Sequence, residues 1–227
     1  MQGQIHADFY SNKILSLSPT AYWRLNESSG TTATDSSGNG NNGTYISSVG
    51  LDVAGAFPSI SDASVNFPGS TSTYVDLGDN ANLRVSNLTV SAWFKTDTVS
   101  GTHFIINTGK DWNDTSGYMI FLDGNDLQAR VSRSSGDDDI LQLKYLDCIS
   151  TGTWYHVVLT FDDATNSAKL YLNGSLVQSN SMSSIYYKSR NAYIGKLYSS
   201  YYAFDGLIDE LAIFDYALTP TQVSELY

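Results

Sequence analysis

Between Thr153 and Gly174 the chain alternates in a two-residue rhythm. Trp154, His156, Val158 and Thr160 point one way and Tyr155, Val157, Leu159 and Phe161 the other, the signature of a β-strand. Ala168 to Leu172 forms a second β-rich arm, and Asp162, Asp163, Thr165, Asn166 and Ser167 between them are turn formers. Asn173-Gly174 then predicts a tight turn into a third strand, Ser175 to Gln178. Similar runs predict strands over Ala21 to Glu27, Ser64 to Phe67, Tyr74 to Leu77, Leu88 to Lys95, Thr102 to Gly109, Gly117 to Leu122, Asp126 to Ser132, Ile140 to Leu143, Ala192 to Ile194 and Phe204 to Phe214. Turns fall at Asp123-Gly124 and Ser135-Gly136. A meander must cover its apolar face with a second layer, so the pattern predicts an all-β fold, a two-sheet antiparallel β-sandwich.

The two ends depart from this rhythm. Phe9, Ile14 and Leu17 can share a helical face before Pro19, so residues 1–18 are expected to form an N-terminal arm or short helix ahead of a sandwich domain over 19–227. At the other end Thr219-Pro220, followed by Val223 and Leu226, predicts a helical turn capped by Thr219. From Ser28 to Tyr45 the chain is rich in Gly, Asn, Ser and Thr. Two readings stand: a flexible linker, or an ordered loop in which Asp35, Asn39 and Asn41 offer oxygens to a hard cation.

Composition narrows the partners. The 227 residues are 41% hydrophobic and suit a single large core. Aromatics make up 13%, with 16 Tyr, and charged residues only 15%, an extracellular-looking balance. A net charge of -11 argues against nucleic acid or an anionic membrane as partner. Cys148 stands alone, so no internal disulfide is expected. No stretch is long and apolar enough to span a membrane, and MQGQIHADFY lacks the pattern of a secretory signal.

Candidate chemistry points to binding rather than catalysis. Glycosidases need paired carboxylates on one strand face, whereas the glutamates here are Glu27, Glu210 and Glu225, and Asp137-Asp138-Asp139 falls in an expected hairpin turn. His6, His103 and His156 are far apart, and no Ser-His-Asp set assembles. Sugar sites stack aromatic rings on the pyranose and fix hydroxyls with Asp or Asn. Two loop stretches fit: Asp111, Trp112 and Asn113, and the tyrosines Tyr186, Tyr198 and Tyr201. The same residues would equally suit a loop anchor or a subunit interface. Trp23, Trp93 and Trp154 lie in strands and are expected in the core.

Seven phrases taken in order, YWRLNE (22–27), DSSGNGNNGTY (35–45), VSAWFK (90–95), WYHVVLTFD (154–162), LYLNG (170–174), YIGK (193–196) and FDGLIDELAIFDYALT (204–219), resemble the laminin G-like members of the concanavalin A-like lectin/glucanase superfamily. The resemblance implies a jelly roll, a non-catalytic lectin-like module that recognises carbohydrate, and a structural Ca²⁺. It implies that Asp35, Asn39 and Asn41 face Asp209 across the ion. From a regular strand only one of Asp209 and Glu210 could turn toward it. The opening ILSLSPTAYWRLNE is similar to that of bacteriophage virion proteins, which implies an extracellular or virion-surface location and, as the other reading, a structural protein contacting virion subunits.

Overall fold

A computed structural model describes residues 2–57, 62–108, 116–133, 140–198 and 202–227, with side chains from Phe9 onward. The chain begins with helix α1 (Gln2–Ser16) and ends with α2 (Pro220–Glu225). Between them run β1 (Ala21–Trp23), β2 (Thr32–Ala33), β3 (Gly43–Ile46), β4 (Gly50–Ala54), β5 (Ala63–Pro68) and β6 (Tyr74–Gly78). There follow β7 (Leu88–Thr96), β8 (Thr102–Asn107), β9 (Tyr118–Asp123), β10 (Asp126–Ser132) and β11 (Ile140–Tyr145). The last five are β12 (Tyr155–Asp162), β13 (Ser167–Leu172), β14 (Ser175–Ser181), β15 (Ala192–Ile194) and β16 (Asp205–Phe214).

These strands form two antiparallel sheets. The first has the order β14-β13-β12-β7-β16-β5-β4, with β1 also on β16; the second runs β11-β10-β9-β8-β15-β6-β3-β2. Their facing sides share one core, to which Phe94, Leu159 and Ile213 contribute from the first sheet and Ile106, Ile120 and Ala129 from the second. The two-residue rhythm explains this directly, because every second side chain of each strand enters the core.

The outer face of the first sheet is also apolar. Tyr22, Trp93, Val158, Tyr171, Ala212 and Phe214 are covered by Tyr10 and Ile14 of α1 and by Val223 and Leu226 at the C-terminal end. With helices on one side and the core on the other, β7 and β16 are buried almost throughout. His156 stacks on Trp93 in this layer, ring centroids 5.1 Å apart, and its Nε2 lies 2.8 Å from the Ser91 hydroxyl.

Several details differ from the sequence reading. The segment before Pro19 is not a short helix but a helix of 15 residues, Gln2–Ser16. The first strand stops at Trp23, because Leu25 takes a left-handed backbone, φ 59°. The stretch from Ser28 to Tyr45 is no flexible linker: it contains β2, the start of β3 and a bridge from Asp35 to Trp23. Strand β4 and the 3₁₀ turn Ala81–Leu83 had no periodic signal to betray them. The C-terminal helix starts as expected: Thr219 caps it in a reciprocal box with Gln222, and Pro220 takes the first helical position. The expected turn at Ser135-Gly136 and the acidic run after it lie outside the described residues.

Burial pushes the His156 imidazole down to about 3, so the fold requires its neutral form. Its contribution to stability is complete above the unfolded value of about 6.5 and is lost as pH falls from there toward 3. Denaturant unfolding at several pH values should show the parent losing up to about 1.4 kcal/mol per pH unit more than His156→Gln over this range.

Candidate functional site

Three places on the sandwich concentrate polar chemistry. The first is the loop around Asp35. Its Oδ1 accepts N–H bonds from Tyr22 and Ser37 at 2.9 Å each, and its Oδ2 one from Asn41 at 2.8 Å. Asn39 Nδ2 donates to the Pro19 and Thr20 carbonyls, and Asn41 Nδ2 to Thr20. Asn41 Oδ1 in turn accepts from Asn80 and Asn82. Desolvation alone would raise the Asp35 pKa, but the bonds from Ser37 and from the Tyr22 and Asn41 backbones outweigh it and hold it below the usual carboxylate range.

Both Asp35 oxygens and Asn41 Oδ1 are therefore already committed to the protein. The structure brings Asp35, Asn39 and Asn41 together, as the sequence reading required, but it groups Asp209 elsewhere. Beside the loop lies a cavity of about 430 Å³ lined by Thr20, Asn39, Asn41, Asn82, Val85 and Asp215.

The second place is where β16 changes partners. Asp205 to Ile208 pair with β5, Leu211 to Ile213 pair with β1, and the register against β7 slips between Asp209 and Ala212. Glu210, in this slip, has φ 51°. That left-handed residue undoes the alternation of a regular strand, so the consecutive side chains of Asp209 and Glu210 converge on Asp62, the residue before β5.

One oxygen from each of the three carboxylates lies within 4.8 Å of the other two, and all three residues are buried. Ala56 N donates to Asp209 Oδ2 at 2.8 Å and Phe57 N to Asp62 Oδ2 at 2.6 Å. The Tyr22 hydroxyl donates to Glu210 Oε2, and Arg24 Nε lies 3.4 Å from Glu210 Oε1. Among the described residues, Asp209 Oδ1 and Asp62 Oδ1 have no hydrogen-bond partner. Burial pushes all three carboxyls upward, and at Asp209 the neighbouring Glu210 and Asp62 charges add to it.

The third place is the outer face of the second sheet. Tyr74 and Asp76 of β6 and Tyr193 of β15 alternate with the core residues Val75, Leu77 and Ile194 and so face outward. The Tyr74 and Tyr193 rings meet edge-on at 5.4 Å, and exposed Tyr198 lies 5.9 Å from Tyr193. Lys196 Nζ sits 3.9 Å above the Tyr74 ring, and Asn191 Nδ2 donates to Asp76 Oδ1 at 3.2 Å. On the same face Phe104 and Phe121 stack at 5.0 Å, Arg130 lies over Phe121, and Leu197 and Tyr202 pack against them.

Of the residues expected to bind a ligand, Tyr198 belongs to this patch. Tyr186 is half-buried, its backbone bridging Ser132 and Gly117. Asp111, Trp112, Asn113 and Tyr201 lie outside the described residues. Tyr74, Asp76, Tyr193 and Lys196 were not singled out, because the search for ligand residues was confined to loops. The alternation of Tyr74 and Asp76 with Val75 and Leu77 was the signal that could have found them.

Among the described residues, several groups of the kind used in catalysis are otherwise engaged. Glu27 accepts from Thr34 N and the Tyr45 hydroxyl, Glu225 pairs with Lys13, and Glu210 is fully buried. Ser91 and His156 make a close pair, yet both are buried and His156 Nδ1 has no hydrogen-bond partner. His103 lies between the Ala203 and Ser100 carbonyls.

Fold and sites together define a laminin G-like jelly roll. Residues 69–224 match the Laminin_G_3 family model of the concanavalin A-like lectin/glucanases superfamily, and the chain belongs to that family. No curated protein matches the chain. Among solved structures it is similar to domain 4 of AbnA, a GH43 extracellular arabinanase from Geobacillus stearothermophilus, in complex with arabinotriose. There the TM-score is 0.71 and the identity 22%, over 92% of this chain and 97% of that one. It is also similar to the botulinum neurotoxin serotype D ligand-binding domain in complex with N-acetylneuraminic acid (TM-score 0.73, 18% identity, 96% and 52% covered). The binding domain of Paraclostridial Mosquitocidal Protein 1 gives TM-score 0.73 at 19% identity, with 93% and 52% covered. The chain spans about half the length of these two toxin domains.

Replacing Asp35 by Asn removes the charge that three backbone N–H groups share. Denaturant unfolding at pH 7 should show a loss of about 1–3 kcal/mol. Because the folded pKa of Asp35 is lowered, its contribution is present above the unfolded value of about 3.9 and disappears as pH falls below it. The difference between parent and variant should therefore shrink in acid.

Proposed function

We propose that this protein is a non-catalytic, lectin-like module that binds carbohydrate through the outer face of its second sheet. The observation that carries the reading is the patch of Tyr74, Tyr193 and Tyr198 with Asp76, Asn191 and Lys196 beside it. Partly exposed Tyr74 and exposed Tyr198 offer the apolar side of a sugar ring a stacking surface over buried Tyr193 and Lys196, while the Asp76 carboxylate and Asn191 amide beside them can bond hydroxyls. The arabinotriose and N-acetylneuraminic acid held by two similar structures support this class of ligand. A carbohydrate partner accords with action outside cells, on a surface that carries glycans. Among the described residues no helix is long and apolar enough to cross a membrane.

Contact with subunits of a larger assembly, such as a virion, is a second reading. Phe9 and Leu15 of α1 favour it, since both stay exposed on a helix whose Tyr10 and Ile14 are buried. Mass measurement of the protein in solution separates self-association from sugar binding.

A glycan array, with arabinan and sialylated oligosaccharides among its members, tests the first reading. Tyr198→Ala should weaken binding of any retained glycan about tenfold, the equivalent of roughly 1.4 kcal/mol, and leave the melting temperature unchanged because Tyr198 is exposed. Equal binding by parent and variant would remove the patch from the site.

A further inference from the structure

We infer that Asp62, Asp209 and Glu210 form a binding site for a hard divalent cation of the calcium type, on the opposite side of the sandwich from the aromatic patch. The donor set is the first argument. Three carboxylates are the oxygen ligands such ions prefer, at 2.3–2.6 Å, so two ligands of one ion stand at most about 5 Å apart. Every pair among the three oxygens meets that limit, at 4.8 Å or less.

The second argument is independent of the cluster itself. Asp209 is fully buried, yet among the described residues its Oδ1 has no donor, and Asp62 Oδ1 shares that condition at 6% exposure. A buried carboxylate oxygen without a partner forfeits its full solvation. The Tyr22 hydroxyl and the Ala56 and Phe57 N–H groups bond Glu210 Oε2, Asp209 Oδ2 and Asp62 Oδ2, orienting the carboxylates and leaving the other oxygens of the aspartates open.

Charge gives the third argument. Arg24 is the cation paired with the cluster, through Glu210. Ionised around a metal, three carboxylates against one guanidinium would carry two uncompensated negative charges, the amount that one divalent ion neutralises. Space agrees as well. A Cβ on Gly55 would come within 2.5 Å of Asp62 Oδ2 and 2.7 Å of Asp209 Oδ2, so the backbone closes over the carboxylates only because that residue has no side chain.

The ligands come from two chain segments, the approach to β5 and the bulge of β16, and the donors to them from β1 and the chain after β4. A bound ion would therefore tie together the fork at which β16 exchanges β5 for β1. This goes beyond sugar recognition and stands or falls without it.

The test is metal content and thermal melting of the full chain after chelator treatment and dialysis, with calcium alone as the probe and magnesium as comparator. One equivalent of calcium per chain and a rise in melting temperature of several degrees are expected, since an ion that binds only the folded state stabilises it. Asp62→Asn and Gly55→Ala should each abolish the rise, and Asp35→Asn should keep it. If the parent neither takes up calcium nor shifts, the site does not exist. A shift that survives both Asp62→Asn and Gly55→Ala but vanishes in Asp35→Asn would place the ion in the Asn-rich loop and overturn the assignment.

Discussion

Strand β16 must serve three partners at once, and the rest of the structure depends on how it does so. It runs beside β7 along most of its length while its other edge passes from β5 to β1. No regular strand can make that change, and the left-handed Glu210 makes it at a backbone cost of about 1–3 kcal/mol. Arg24 and Tyr22, which follow and belong to β1, hold the carboxylate of this strained residue. The strand order of the first sheet and the convergence of three buried acids thus have one geometric origin.

The two outer faces divide the remaining work. Helices close that of the first sheet, where Trp93 lies between Phe57, His156 and Tyr227. The outer face of the second sheet receives no helix, and its tyrosines and phenylalanines meet one another, a lysine and an arginine. Of these rings Phe104, Phe121 and Tyr193 are buried, and Tyr74 and Tyr198 are the ones that reach solvent.

What the chain disclosed before its structure was known follows the physics of repetition. The β12–β13–β14 meander, β7 and the capped C-terminal helix were legible because alternation, Asn-Gly and Thr-Pro are local signals. Strands β2 to β4 escaped: their residues have little periodicity, and they are ordered by long-range bonds such as Asp35 to Tyr22 and Asn41 to Asn80. The sites were less legible still. Asp209 was singled out, but its companions Asp62 and Glu210 could not be, since alternation separates adjacent residues and only a bulge reunites them. Tyr74 and Tyr193 were placed in strands but not singled out, because β-propensity is the same on both faces of a sheet.

Both ends of the chain rest on one side of the sandwich. Tyr10 and Ile14 share a cluster with Val223 and Leu226, Lys13 pairs with Glu225, and Tyr227 stacks on Trp93 at 5.8 Å. Tyr10, Ile14 and Tyr227 thus lie on the side of the sandwich turned away from Tyr74 and Tyr198. A chain held through these elements would keep that tyrosine face turned outward, and copies could stand side by side without hiding it.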